Sequence, residues 1–262
     1  MSVAPLLSAF VVAHNEADQL AACLADLSFA DEIVVVLDRC TDGSHEIALA
    51  SGARIVEGAW EIEGPRRSAG QEACQGRWIF EVDADERVSP ELAKEIRDVV
   101  SMRERVAQGP DWWRIPFDNY IGGRLIRFGW GASFGVGAKA ILYRNGVKSW
   151  GHQRVHPKVK MEGQIGGALE NRMDHLVDRD ISDMIQRLDR YTTAHAQDLL
   201  DSGGGGTFCK NVARIFGRFY KCFILRKGYR EGALGLVIAI FAGLYPFLSY
   251  VKAVELRERA RR

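Results

Sequence analysis

Residues 6–16 read Leu6-Leu7-Ser8-Ala9-Phe10-Val11-Val12-Ala13-His14-Asn15-Glu16, and residues 17–27 read Ala17-Asp18-Gln19-Leu20-Ala21-Ala22-Cys23-Leu24-Ala25-Asp26-Leu27. Leu6 to Ala13 is an apolar run of strand length, His14, Asn15 and Glu16 follow it, and the second block sets Leu20, Cys23, Leu24 and Leu27 at helical spacing. A strand, a polar loop and a helix follow from that. The unit then recurs: residues 33–37 predict a second buried strand, Thr41-Asp42-Gly43 a turn with helix-start chemistry, and residues 47–50 a helix ending at Gly52. Residues 54–57 predict a third strand, a helix carrying Pro65 in its first turn closes near Gly76, and residues 78–82 predict a fourth strand. Strands that alternate with helices and are apolar on both faces form a parallel sheet covered on both sides, so the fold class is α/β.

Working outward, Ser89 caps a helix with Pro90 at its first position, expected to run to about Ala107. Residues 112–169 change to short aromatic, β-branched and glycine-rich runs, which predict β structure and long loops laid over the sheet. Helical periodicity returns over 181–200, and Gly203 to Gly206 break the chain. The expected division is therefore 1–202, made of halves at 1–108 and 109–202, followed by a helical region at 203–262.

Bulk properties narrow the function. A chain of 262 residues can bury a sizeable core, and a net charge of +1 gives no general case for nucleic-acid binding. The five cysteines are scattered and lack C-x-x-C spacing, which favours a reducing cytoplasm over zinc binding or a redox pair. Met1 leads directly into the first apolar strand without a basic n-region, so no export signal is visible.

In open α/β sheets, ligands bind beyond the carboxyl ends of the strands. Asn15 and Glu16 follow the first strand, Asp38 follows the second, Arg66 and Arg67 open the helix before the fourth, and Asp83-Ala84-Asp85-Glu86 follow the fourth. Two carboxylates on a tight turn after a buried strand can hold a hard divalent cation, Mg2+ or Mn2+, that also grips a diphosphate. An acidic turn preceding the Ser89 cap is the plainer account of the same residues. Asp38 can accept hydrogen bonds from a nucleobase N–H or a ribose hydroxyl, whereas Asp42, Gly43 and Ser44 read as turn and cap chemistry. Arg67 is a ligand-facing or a surface arginine. Trp130 and Trp150 suit sugar stacking or core packing equally well, Asn145-Gly146 is a turn signal, and Cys40 has no histidine assigned to activate it.

Taken together, Val11-Val12-Ala13-His14-Asn15-Glu16, Asp38 with Thr41-Asp42-Gly43-Ser44, Arg67-Ser68-Ala69-Gly70 and Asp83-Ala84-Asp85-Glu86 resemble the ordered motifs of family 2 glycosyltransferases. Arg190-Tyr191-Thr192-Thr193 and the apolar C-terminal segment resemble the lipopolysaccharide core glucosyltransferase branch in particular. The resemblance implies the GT-A nucleotide-diphospho-sugar transferase fold and an inverting, metal-dependent enzyme. In it Asn15, Glu16 and Asp38 would hold a uridine-like nucleoside, Asp83 would lie near ribose and metal, and Asp85 would be the principal metal ligand. Arg67 would stand near the diphosphate or the aspartates. Relatives of the branch tend to carry His-Glu where this chain has His156-Pro157, and that glutamate is a candidate general base. Proline cannot take a proton, which leaves His156 as the chosen catalytic base, ahead of Glu162 and Asp174.

Residues 232–251 contain no charged side chain and are long enough to cross a bilayer. They follow a stretch in which Phe216, Phe219, Phe223 and Leu225 alternate with Arg214, Arg218, Lys221 and Arg226. Basic residues on both flanks favour monotopic attachment at the inner face of the cytoplasmic membrane over crossing. A soluble helical hairpin packed on the enzyme is the alternative. The expected partners are a nucleotide-sugar donor and a lipopolysaccharide core or other lipid-linked glycan acceptor. Two further functions are a nucleotide-sugar-binding scaffold without turnover, suggested by Pro157, and a sugar nucleotidyltransferase. The latter calls for a glycine-rich basic loop where His14-Asn15-Glu16 stands.

Overall fold

The computed structural model describes residues 4–129, 137–154 and 157–260. Two compact units are present: Met1–Phe117 with Ala138–His175, and Asp118–Gly137 with Leu176–Arg262.

The first unit is built on β1 (Leu7–Ala13), β2 (Glu32–Asp38), β3 (Arg54–Gly58) and β4 (Trp78–Asp83), joined by α1 (Ala17–Asp26), α2 (Ser44–Ala50) and α3 (Glu63–Ala73). The strands run parallel in the order β3-β2-β1-β4. Their period-2 alternation divides the apolar side chains between two cores. Leu7, Ala9, Val11, Val35, Leu37, Trp78, Phe80 and Val82 face one, where Leu20, Cys23, Leu24 and Leu27 pack on them. Phe10, Val12, Val34, Val36 and Ile79 face the other, with Cys74. Helix α3 approaches that second face closely at Gly70, where a Cβ would come within 2.8 Å of Phe10 and 2.9 Å of Val36. The covered, mainly parallel sheet expected from the alternation is thus present.

A two-residue strand, β5 (Glu86–Arg87), not foreseen from the sequence, precedes α4 (Pro90–Glu104). Ser89 caps α4 by accepting the Leu92 N–H at 3.2 Å, and the helix ends three residues before the expected Ala107. Beyond it lie β6 (Trp112–Ile121), β7 (Arg124–Ile126), β8 (Ala138–Arg144), β9 (Lys148–Trp150), β10 (Val159–Met161), β11 (Ile165–Ala168) and β12 (Met173–Asp178). Strand β8 joins the sheet antiparallel to β4, and β5 pairs antiparallel with β12.

The second unit holds the β6–β7 hairpin, turned at Gly122 and Gly123 with φ of 58° and 75°, together with α5 (Ile181–Asp201), α6 (Phe208–Tyr220) and α7 (Gly232–Arg259). A π-helical turn at Lys221–Leu225 and a 3-10 turn at Gly228–Glu231 link α6 to α7. Ile121, Ile126, Val177, Met184, Cys222, Ile238, Ala239 and Ala242 form its core. The glycines at 203–206, read from the sequence as a boundary, lie inside this unit between α5 and α6. Helices α5 and α7 are tied by Lys252, whose ammonium donates to Asp189 Oδ1 at 2.6 Å and to Thr193 Oγ1 at 2.7 Å. Among the described residues, one helix is long and apolar enough to cross a membrane, within Gly228–Arg259.

Candidate active site

The carboxyl ends of β1, β2 and β4 lie side by side because their registers pair Ala13 with Leu37 and Val12 with Asp83. The loops that leave these ends are held by local polar chemistry. Asn15, in the left-handed region with φ of 56°, accepts the Thr41 N–H at 2.7 Å through Oδ1. Asp42 accepts the N–H of Ala17 at 2.9 Å and that of Ser44 at 3.1 Å, so one side chain caps the start of α1 and turns the chain into α2. Ser44 Oγ accepts the Glu16 N–H at 3.2 Å. Asp42 and Ser44 are therefore framework, and they join the Asn15-Glu16 loop to the loop after Asp38.

Asp38 is 1% exposed. Its Oδ1 accepts from Arg39 Nε at 2.9 Å and from the Trp60 N–H at 3.0 Å, and its Oδ2 from Arg39 Nη2 and Arg66 Nη1, each at 3.1 Å. Burial alone would raise its pKa, but the Arg39 and Trp60 hydrogen bonds and the charges of Arg66 and Arg39 outweigh it and hold the carboxyl below its ordinary value. Arg39 adopts φ of 51°, an uncommon conformation for a side-chain-bearing residue, and its side chain is half exposed. A nucleoside contacting Asp38 must therefore share it with, or displace, the Arg39 fork.

At the end of β4 the chain places a dense ion-pair network. Arg67, on α3, donates Nε to Glu63 at 2.7 Å, Nη1 to Glu81 at 2.6 Å and Nη2 to Asp83 at 2.9 Å. Burial would lower its pKa, yet the charges of Asp83, Glu81 and Glu63 carry it well above the ordinary arginine value. Lys139, on β8, approaches Asp83 Oδ2 at 3.2 Å and Glu86 Oε1 at 2.6 Å. Burial opposes its charge, and the carboxylates of Glu86 and Asp83 overcome that and raise its pKa. Asp83 is depressed in turn: the charges of Arg67 and Lys139 exceed the effect of its burial. Glu86 is raised, chiefly by its own desolvation. Behind these groups Lys148 pairs with Glu81 and donates to the Ala140 carbonyl at 2.9 Å.

Asp85 stands apart from the network. Among the described residues its ion pair is with His175, at 3.3 Å from Oδ2 to Nε2, and its side chain is 29% exposed. Burial would lower the His175 pKa, but the hydrogen bond to Asp85 and the charges of Asp85 and Glu86 raise it.

The residues present fit a hard divalent cation in one respect. No group of three or more His, Cys, Asp or Glu side chains able to hold a metal exists among the described residues. Ions of the Mg2+ type, however, are commonly bound by one or two carboxylates and completed by substrate phosphates and water. Asp85 has the chemistry and the exposure for that role, while both oxygens of Asp83 already face cations.

The structure thus brings Arg67 to Asp83, sets Asp85 on the adjoining turn against His175, and places Asn15 and Glu16 just after β1 and Asp38 at the end of β2. His156 and Trp130 lie outside the described residues. Trp150 packs against the second core, and Glu162 is an exposed turn residue paired with Lys160 at 2.7 Å. Asp174 sits on β12 opposite Arg87. The sequence reading missed Lys139, Lys148 and His175. The one hint for His175 is its place in the alternation of Met173, His175 and Val177, all buried.

Comparison with known proteins identifies the family. The model of the family described as glycosyl transferase family 2 matches residues 8–145, just over half of the chain and all four ordered motifs. A lipopolysaccharide core biosynthesis glycosyltransferase of Rhizobium meliloti is 26% identical over 260 residues, covering 95% of this chain and 92% of that protein. An uncharacterized glycosyltransferase of Rickettsia conorii is 24% identical over 275 residues, covering 98% and 92%. Among solved structures, glucosyl-3-phosphoglycerate synthase from Mycobacterium tuberculosis matches with a TM-score of 0.35 and 19% identity, over 45% of this chain and 44% of that one. This chain therefore spans under half the length of that solved protein. With a GT-A type α/β sheet, three of the ordered motifs at its strand ends and the fourth on α3, the chain belongs to glycosyl transferase family 2.

Proposed function

We propose that this protein is an inverting glycosyltransferase that moves a hexose from a nucleotide-sugar, of the UDP-glucose type, to lipopolysaccharide core or another lipid-linked glycan. The reaction would take place at the inner face of the cytoplasmic membrane, with the protein attached peripherally or monotopically. The observation that carries the reading is Asp85, a partly exposed carboxylate on the turn after β4, beside a network in which Arg67 and Lys139 pair with Asp83 and Glu86. Similarity to a lipopolysaccharide core enzyme across nearly the whole of both chains supports the acceptor class.

In this reading Asn15, Glu16 and Asp38 hold the nucleoside, and Asp83 and Asp85 stand at the ribose and the metal. A bound Mg2+ or Mn2+ would neutralise charge on the departing nucleoside diphosphate. Arg67 and Lys139 keep Asp83 ionised and fixed, and His175 holds Oδ2 of Asp85, which orients its other oxygen. Preorganised charge of this kind favours the transition state because it need not rearrange as the leaving group develops. His156 is the proposed base for the acceptor hydroxyl, since Pro157 cannot serve.

The test is calorimetric binding of UDP and UDP-sugars with and without Mn2+, followed by transfer to purified lipopolysaccharide core acceptors. Metal-dependent donor binding with transfer supports the enzyme. Pro157 motivates a second reading, a nucleotide-sugar-binding scaffold, for which donor binding without transfer or hydrolysis is the expected result.

A further inference from the structure

Helix α6 and the π-helical turn that continues it carry three adjacent rows of side chains at the spacing i, i+4, i+7, i+11 that marks one face of a helix. Asn211, Ile215, Arg218 and Cys222 form the packed row: Asn211 and Cys222 are buried, and Arg218 donates Nε to the Ala242 carbonyl of α7 at 2.9 Å. One position earlier, Lys210, Arg214, Gly217 and Lys221 form an exposed basic row. One position earlier again, Cys209, Ala213, Phe216 and Tyr220 form an exposed apolar row that continues to Ile224. Phe216 is 70% exposed, Tyr220 54% and Ile224 43%, values unusual for large apolar side chains aligned on one helix.

Charge says what covers this face. From 202 to 230 the chain has seven Lys or Arg residues and no Asp or Glu. A helix with an aromatic stripe beside a purely basic one matches the boundary of an anionic leaflet, where rings enter the acyl region and ammonium groups remain among the headgroups.

Helix α7 is the more apolar segment, but its small residues are committed inside the unit. A Cβ at Gly235 would lie 1.9 Å from the Gly228 carbonyl, and one at Gly243 would lie 2.8 Å from the Ile215 carbonyl. Its Lys252 is bonded to α5. We infer that the Cys209–Ala213–Phe216–Tyr220–Ile224 row of α6, flanked by Lys210, Arg214 and Lys221, lies in the plane of an anionic lipid surface, while α7 stays packed and does not cross the bilayer. This docking rests on the membrane-side reading above and adds the surface that makes the contact.

Cys209 provides a native reporter, being exposed whereas Cys23, Cys74 and Cys222 are buried, and Cys40 in the first unit serves as an internal reference. The full chain is incubated with phosphatidylcholine vesicles, with or without 30 mol% phosphatidylglycerol on the order of that in anionic leaflets, and labelled with a water-soluble maleimide. Peptide mass spectrometry then reads each cysteine. Labelling of Cys209 is expected to slow more than about tenfold on anionic vesicles only, with Cys40 unchanged. Phe216→Asp with Tyr220→Asp should abolish co-sedimentation. Lys210→Gln with Lys221→Gln should weaken it about fivefold per charge removed. Leu49→Asp, at an exposed apolar position of α2, should not affect it. UDP binding by each variant confirms that the first unit is folded.

Sedimentation of the aspartate variant equal to the parent, or extraction resistant to alkaline carbonate, overturns the α6 assignment while leaving a membrane-side enzyme in place. Indifference of the parent protein to anionic vesicles overturns both. Protection of Cys209 that rises with protein concentration in the absence of lipid assigns the stripe to a second copy of the chain and overturns the inference.

Discussion

Arg67 and Asp83 lie on different elements of the sheet unit, α3 and the end of β4, and meet at 2.9 Å while the same guanidinium also holds Glu63 and Glu81. Replacing Arg67 with Met leaves three carboxylates without their shared cation. Loss of one partner from a buried charge cluster costs about 3–5 kcal/mol, so urea unfolding of Arg67→Met should show a midpoint far below that of the parent. Arg67→Lys should recover only part of it, because an ammonium cannot present the guanidinium fork to three acceptors. A midpoint within experimental error of the parent would rule out this structural role.

Asp85 is predicted to behave oppositely, as a functional residue with little structural weight. Asp85→Ala should abolish sugar transfer and remove the metal-dependent part of donor binding, with thermal stability changed by about 1 kcal/mol or less because the side chain is partly exposed. Activity assays with Mn2+ and a thermal melt decide it. Undiminished turnover would withdraw Asp85 from the proposed metal site.

Asp38→Ala should weaken nucleoside diphosphate binding, measured calorimetrically, by about 1.5–3 kcal/mol for each charge-assisted hydrogen bond lost. The same variant frees Arg39 and Arg66 from their common acceptor. Equal affinity in the two proteins would place Asp38 outside the nucleotide site and leave it as an anchor for the loop at Trp60.

Acid should expose the same carboxylate. Asp38 titrates lower in the folded protein than in the unfolded chain, so its contribution to stability is present above the ordinary aspartate value of about 3.9 and is lost as pH falls through the folded value. Asp83 is shifted in the same direction and adds to the effect. Unfolding free energy measured between pH 6 and 3, on the order of the range set by these groups, should fall toward the acid end. The fall should be shallower in Asp38→Asn.

Pro246 lies inside α7 and has no N–H, which leaves the Ala242 carbonyl without its helical donor. Arg218 supplies one at 2.9 Å. Arg218→Met should cost about 1–3 kcal/mol by orphaning that carbonyl, and adding Pro246→Ala should restore most of the loss, because alanine brings back the backbone donor. A double-mutant cycle by denaturant unfolding measures the coupling. Strict additivity would mean that Arg218 does not compensate for the proline.

What the sequence determined by itself is whatever depends on neighbouring residues. The apolar runs of β1, β2 and β4, the Ser89 cap, and the turn chemistry of Asp42 and Ser44 follow from local periodicity and short-range hydrogen bonding, and the structure has them where they were expected. So does the Asp83-Ala84-Asp85 turn, since a carboxylate pair after a buried strand is visible in the chain itself. Only the tertiary structure decided which of the two carboxylates meets cations on both oxygens. Lys139 reaches Asp83 because β8 runs antiparallel beside β4, in the register Trp78↔Arg144, Ile79↔Tyr143, Phe80↔Leu142, which carries the start of β8 toward the end of β4. His175 reaches Asp85 because β12 pairs with β5, with His175 opposite Glu86. Neither strand carries a local signal for its partner's register. That register is settled by the packing of whole sheet faces, where a shift of one residue would turn every side chain to the opposite side.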